Sequence, residues 1–485
     1  MHIDTRIRGG QVYTPSGLQE VDIAIRGERI VGLLDPQDPA PAASDIDAAG
    51  KHVLPGLIDL HAHTRVPGYE YKEDFHTCSQ AAAVGGFTTI ADMPNVEPPT
   101  DTVALFEEKR EIAARDCIVD WGHLVSPTKL EEIPRLAAAG ATGFKVFQVS
   151  GGYPHDPRLA MGESEKLYDA FGAIAETGLH CSIHPYNQPL MDRLSELAWA
   201  AGKPRTIETF APIYTADVVW RSAVAVLIEL QRETGARLHV LHTHAPGSIA
   251  LLRQAKATGV PMTAAVDLKY YHLTRADAER QGPRAAPGGV ITEDPARMEA
   301  IWKALNDGTI DIIDSDHAPH SLEDLERFRE DPWTGPFGSP QYEYMLSVSL
   351  TDVNEGLMSL DTAVQRLVVN SAKLVGLYPR KGAIQVGSDA DIVIIDLEAE
   401  IVARDADTYT KVKWTPYDGR TLKGGPVLTM LRGQVIARDG KVTGKPGYGR
   451  YIEGAPQELA GTARVASPGL SLRAKGRVAE AAQVA

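Results

Sequence analysis

Apolar and polar positions fall into three regimes along the chain. Near the start, VDIAIRGERIVGLL reads as short strands around a turn at Arg26-Gly27, followed by a loop rich in Pro, Ala and Asp. Toward the other end, AIQVGSDADIVIID and VLTMLRGQVIARDGKVTG read as strands again, the latter folding back at Asp439-Gly440, a dipeptide suited to a tight hairpin. Neither β-rich end can close a core alone, so the two are expected to pair. Between them, strand-like runs alternate with helical stretches: VLPGLIDL, FTTIADM, IVDWGHLV, ATGFKVFQ, LHCSIH, RLHVLHTH, VPMTAAV and IDIIDSD. Helices such as TDTVALFEEKREIAARD and TADVVWRSAVAVLIELQRETG fill the intervals. This βα alternation predicts an α/β protein built on a (β/α)8 TIM barrel, with reactive groups at the C-terminal strand ends.

The pattern divides the chain into 1–54, the first part of a small β unit; 55–380, the catalytic barrel; 381–450, the second part of the β unit; and 451–485, a tail rich in Ala, Gly and Pro. The tail either wraps a neighbouring subunit or stays loosely ordered.

A hydrophobic content of 43% and a charged content of 23% are ordinary for a globular chain with a sizeable core. The formal net charge of −15 opposes phosphate backbones and anionic lipid surfaces, so neither nucleic acid nor membrane is an expected partner. The opening MHIDTRIRGGQVY lacks a secretory pattern and no apolar run reaches membrane-spanning length, which makes a soluble cytoplasmic protein the expectation. Cys78, Cys117 and Cys181 are widely separated and form no CxxC, so any metal must be held by nitrogen and oxygen.

The candidate chemistry begins at GLIDLHAHTR, where His61 and His63 lie two apart just after an apolar strand and can face one metal. Alone, this pair is matched evenly by two solvent-exposed loop histidines. Lys145, inside ATGFKVFQ, is placed in a strand that reads as buried, where a bare ammonium is costly and the neutral, nucleophilic amine is favoured. A neutral lysine can capture carbon dioxide, giving a carbamate whose two oxygens can bridge two cations. An ordinary buried Lys–Asp or Lys–Glu pair is the competing reading.

His184 and His242 end their own strand-like runs. His239 falls on the opposite strand face from His242 and His244, and His180 at the buried end of its strand, so both read as structural. In IDIIDSDHAPH, Asp314 and Asp316 share a face; Asp316 is the expected catalytic group, binding a metal through one oxygen and carrying a proton from water to a departing nitrogen with the other.

Together, HAH, Lys145, His184, His242 and DSDHAPH closely resemble the cyclic amidohydrolases of the amidohydrolase superfamily: dihydroorotases, allantoinases, hydantoinases and dihydropyrimidinases. The resemblance runs from about Lys51 through Gly449. It implies a first metal on His61, His63 and Asp316, a second on His184 and His242, and a carboxylated Lys145 between them. It also implies a β-sandwich made from both chain ends, a cyclic amide opened by a metal-bridging hydroxide, and a homodimer or homotetramer. Zinc is the expected ion, with manganese, cobalt or iron acceptable to a similar donor set.

Within the group, HTRVPGYEYKEDF and ADMPNVEPP look most like dihydroorotase, which implies that Arg65, Asn95 and His320 hold a substrate carboxylate. A guanidinium fork suits that task. Other stretches depart from this pattern. AAVDLKYYHLT brings Lys269, Tyr270 and Tyr271 where a PHH-like segment is usual, RAAPGGVITEDP replaces a Pro-Pro-Leu-Arg-like stretch, and SPQYEYML, with Tyr342, replaces a Gly-Leu-Glu segment. KVFQVSGGY puts Ser150 at the position of a hydantoinase-type tyrosine, with Tyr153 beyond it. Allantoinase, hydantoinase, dihydropyrimidinase or cyclic imide hydrolase activity is therefore the alternative. A mononuclear deaminase would share the histidines and aspartate without needing Lys145, and a phosphotriesterase-like or isoaspartyl-peptidase-like hydrolase could share the bridged metals. A noncatalytic binding protein would be expected to have lost ligands that are all present here.

Overall fold

A computed structural model describes residues 2–150, 156–286 and 289–457. Tyr153, Pro287, Gly288 and the tail beyond Gln457 lie outside the described residues. All eight apolar runs of the middle region form strands of one parallel sheet, in sequential order: Leu57–Ala62, Phe87–Asp92, Asp120–Val125, Gly143–Phe147, His180–His184, Arg237–Val240, Thr263–Asp267 and Ile312–Asp314. The sheet closes on itself where Ala62 pairs in parallel with His317 and the His63 amide donates to the His317 carbonyl at 2.9 Å. Closure leaves the barrel without an exposed edge and gathers the eight C-terminal strand ends around one mouth.

Strand and helix boundaries follow from local chemistry. Asp74 caps Phe75–Val84 by accepting from the Thr77 amide, Thr102 caps Val103–Asp116, and Gly178 and Gly235 end their helices at φ 71° and 70°, a left-handed conformation that glycine adopts without steric cost. At the barrel base, His180 fills space that only a glycine opposite leaves open: a Cβ at Gly143 would lie 2.3 Å from the His180 ring. His239 bonds Thr263 Oγ1 through Nδ1 at 2.8 Å. Both histidines are buried, but the left-handed turn at His242 breaks the strand phase: His239 alternates with the helix-packed Leu238 and Val240 and turns into the barrel interior near His180 and Lys145, not onto the opposite face.

The chain ends do pair. His52–Pro55 runs antiparallel to Ile392–Val402, with Val53 opposite Ile394 and Leu54 opposite Val393, inside a seven-stranded sheet that mixes N- and C-terminal strands. A four-stranded sheet from the N-terminal region packs with it around Ile7, Ile23, Ile25, Val53, Ile392 and Leu428. At the junction with the barrel base, buried Lys381 bridges Asp120 at 2.6 Å and Asp391 at 2.5 Å, while Arg432 holds the other oxygen of Asp120. Residues 449–457 pack on this chain's own barrel: the Ile452 amide donates to Trp121 and the Gln457 amide to Gly178. Among the described residues, no helix is long and apolar enough to cross a membrane.

Candidate metal centre

The barrel mouth collects the predicted residues. His61 lies near the end of the first strand and His63 just past it, Lys145 lies within the fourth, His184 ends the fifth, and His242 and Asp316 follow the sixth and eighth. All six are buried. Asp316 Oδ1 is 3.3 Å from His61 Nε2 and 3.2 Å from His63 Nε2, and these three residues offer donor atoms within 4.8 Å of one another. The His184 and His242 rings are 4.3 Å apart between centroids, and His242 is 5.1 Å from His61. The described residues thus contain nitrogen and oxygen donors grouped as a divalent ion requires.

The backbone bends to place these groups. Arg65, His242 and Asp316 have φ of 68°, 54° and 38°, left-handed values costly for a residue with a Cβ. Such strain persists where surrounding contacts over-determine it, and here three strained residues converge on one cavity.

Three hydrogen bonds aim the imidazoles. His61 Nδ1 pairs with Asp314 Oδ2 at 2.9 Å, His242 Nδ1 with Asp267 Oδ2 at 2.7 Å, and His63 Nδ1 with Asn95 Oδ1 at 2.9 Å. With Nδ1–H donating to oxygen, each Nε2 is left as an acceptor directed into the site. His61, His242 and Asp267 also form a group within 4.8 Å, but the Asp267 oxygen is engaged by His242, which makes that carboxylate an orienting partner. Asp267 escaped the sequence reading; its only signal is its place as the last residue of the seventh strand.

Burial sets the charge states. It lowers His63 to about 4 and His61 well below the ordinary histidine range, so both present neutral imidazole to a cation. Burial also lowers Lys145 to about 8, and its Nζ has no hydrogen-bond partner. A buried amine without a hydrogen-bond partner beside these imidazoles is a donor set that a carbamate and divalent ions would fit. For Asp316 burial acts upward, but Lys269 and the neighbouring histidines outweigh it and hold the carboxyl well below its usual range. Burial and the adjacent Asp267 push Asp314 up.

The cavity in front of these groups opens toward solvent, with about 480 Å³ of empty space counted out to its open side. Arg65 and Asn95 reach its wall, together with Phe147, Tyr214, Lys269, Tyr270 and Phe337. His320 does not line it: fully buried, it sits behind Arg65, with Nε2 3.1 Å from Arg65 Nη2 and Nδ1 3.3 Å from Lys72 Nζ. Arg65 Nε donates to the Pro319 carbonyl at 3.1 Å, so the loop after the eighth strand braces the guanidinium. His244 packs between Trp220 and Tyr270, 4.6 Å from each ring. Sequence reasoning gave no signal for Tyr214 and Phe337, which arrive from a helix and a distant loop.

Comparison with known proteins gives the chain's family and fold. The model of the amidohydrolase family matches residues 52–436. The chain belongs to the amidohydrolase family. It is 33% identical over 457 residues to an L-hydantoinase of Paenarthrobacter aurescens, covering 93% of this chain and 98% of the relative. It is 34% identical over 417 residues to a dihydroorotase of Methanothermobacter thermautotrophicus, covering 85% and 89%. The solved structure of an L-hydantoinase (dihydropyrimidinase) from Arthrobacter aurescens superposes with a TM-score of 0.87 at 32% identity, over 93% of this chain and 100% of that one.

Proposed function

We propose that this protein hydrolyses the C–N bond of a cyclic amide or ureide, opening the ring at a two-metal site. One ion is held by His61, His63 and Asp316, the other by His184 and His242, and a carboxylated Lys145 joins them. Zinc is the first choice for a set of imidazole and carboxylate donors. The observation that carries the reading is Lys145 Nζ, buried beside the histidines without a hydrogen-bond partner. Divalent ions in such a site polarise a carbonyl and lower the pKa of water toward 7.

The protein's own groups do the rest. Asp314, Asp267 and Asn95 fix the imidazoles before substrate arrives, so no reorientation is needed during reaction. Asp316 receives the proton of the attacking water and returns it to the ring nitrogen as the C–N bond breaks. Arg65, braced by Pro319 and His320, presents its guanidinium to an acidic substituent, a charge-assisted contact worth about 1.5–3 kcal/mol.

Arg65 supports a carboxylated ring of the dihydroorotate kind. The aromatic wall of Phe147, Tyr214, Tyr270 and Phe337 supports a second reading, a hydantoin- or dihydropyrimidine-type ring with an apolar substituent, and the hydantoinase relatives favour it too. The two readings share one test of the centre. Lys145→Ala should lose metal and ring-opening activity together, by metal analysis and turnover. Retention of both would overturn the bridged site.

A further inference from the structure

Lys269 belongs to the stretch where the chain departs from the dihydroorotase-like pattern, and the mechanism above leaves it without a role. It follows the seventh strand by two residues, is only 4% exposed, and lines the same cavity as the candidate ligands. Its ammonium contacts Asp316 Oδ2 directly and lies 3.6 Å from Asp267 Oδ2. The other oxygen of Asp316, Oδ1, faces His61 and His63 at 3.3 and 3.2 Å. The two ends of this one carboxylate are therefore divided between a cation-binding face and a protein cation. Asp267 in turn holds His242, a residue of the second histidine group, at 2.7 Å.

We propose that Lys269 is the positioning residue of the metal centre: its ammonium fixes Asp316 with Oδ1 toward the first metal position and, through Asp267, ties that position to His242. A buried carboxylate with one free oxygen can rotate about its terminal torsion or bind an ion through both oxygens. Lys269 removes both options by holding one lone pair of Oδ2, which leaves the other lone pair of that oxygen to take the proton of the attacking water. Its place in the helical turn Leu268–His272, directly after the seventh strand, and the Tyr270 ring centroid 5.5 Å from its ammonium keep the contact in place. This inference rests on the two-metal reading.

The test uses the full-length protein loaded with Co2+, whose visible spectrum reports coordination, alongside steady-state kinetics. Wild type should bind two equivalents and show the spectrum of a nitrogen- and oxygen-ligated site; failure of wild type to bind metal would overturn the two-metal reading and this inference with it. Given binding, Lys269→Met should change the intensity and position of the cobalt bands and lower kcat at least tenfold with KM changed less than threefold. Lys269→Gln, which keeps a donor for Oδ2 and guards against a folding defect in the methionine variant, should fall between the two. An unaltered spectrum with unaltered kcat in either folded variant would overturn the inference while leaving the metal site intact. A tenfold rise in KM with kcat and spectrum preserved would also overturn it, assigning Lys269 to substrate anchoring.

Discussion

Replacing Lys145 with methionine should make the metal-free protein more stable while abolishing its capacity to hold metal. The lysine is 1% exposed, its Nζ has no hydrogen-bond partner and lies 4.7 Å from the Phe147 ring centroid, and burial lowers its pKa from 10.5 to about 8. That displacement corresponds to about 3 kcal/mol in favour of the neutral amine. Because the folded value lies below the unfolded one, the unfolded chain binds more protons between pH 8 and 10.5. Stability therefore rises with pH through that window, and below it the full penalty is present. Methionine keeps the apolar stem and removes the amine. Lys145→Met should gain about 3 kcal/mol over wild type at pH 7, narrowing to below about 1 kcal/mol at pH 10. Urea unfolding in chelator and carbonate-free buffer at the two pH values measures the difference. A variant no more stable than wild type at pH 7 would refute the reasoning, because it would mean that the ammonium is paired or solvated. The neutral fraction also governs carbon dioxide capture. At fixed dissolved CO2, carbamate formation followed by 13C NMR should speed up about tenfold from pH 6 to 7 and about fivefold from pH 7 to 8.

The groups around the centre give further expectations. Asp267→Asn and Asp314→Asn should each weaken metal binding about 10- to 100-fold in chelator competition, since each replaces the carboxyl group that aims one imidazole. Arg65→Gln should raise KM for a carboxylated ring about 10- to 100-fold, with metal content unchanged and uncharged rings little affected; equal losses on both would assign Arg65 to structure. Lys381→Met should cost about 3–5 kcal/mol in denaturant unfolding, leaving Asp120 and Asp391 without their shared buried cation, and kcat/KM per folded molecule should be preserved because the cluster sits at the opposite end of the barrel.

The barrel was legible because each of its strands is a short apolar run, and a parallel strand buried on both faces must be continuously apolar. Strand ends made it legible that His61, His63, His184, His242 and Asp316 could reach the mouth, while their grouping with Lys145 as a ligand set came from the resemblance to cyclic amidohydrolases. His180 was set aside on the same argument and lies at the base, whereas His239, read on the opposite face, turns into the barrel interior beside Thr263 because the chain bends at His242. Contacts between strands distant in sequence were not legible. Asp267 meets His242 across neighbouring strands, and Asn95 meets His63, a contact that serves the imidazole as well as the cavity wall. His320 looked like a wall residue because it follows the eighth strand closely, yet the turn through Pro319 directs it behind Arg65. Tyr214 and Phe337 come from segments whose approach depends on helix packing, which periodicity alone does not encode. The tail, read from composition as wrapping a partner or lying loose, packs along this chain's own barrel as far as Gln457 through backbone hydrogen bonds that any sequence can make.

The central claim is most directly tested by hydrolysis of a small panel by the metal-loaded protein: dihydroorotate, allantoin, hydantoin, 5,6-dihydrouracil and a cyclic imide, followed by loss of ring absorbance. Turnover of at least one ring, abolished by chelator and by Lys145→Ala, is the predicted result. Turnover of dihydroorotate alone would assign the Arg65 wall to a carboxylate, and turnover of an uncharged ring would assign specificity to the aromatic side. Fully metal-loaded protein that opens none of these rings would contradict the claim.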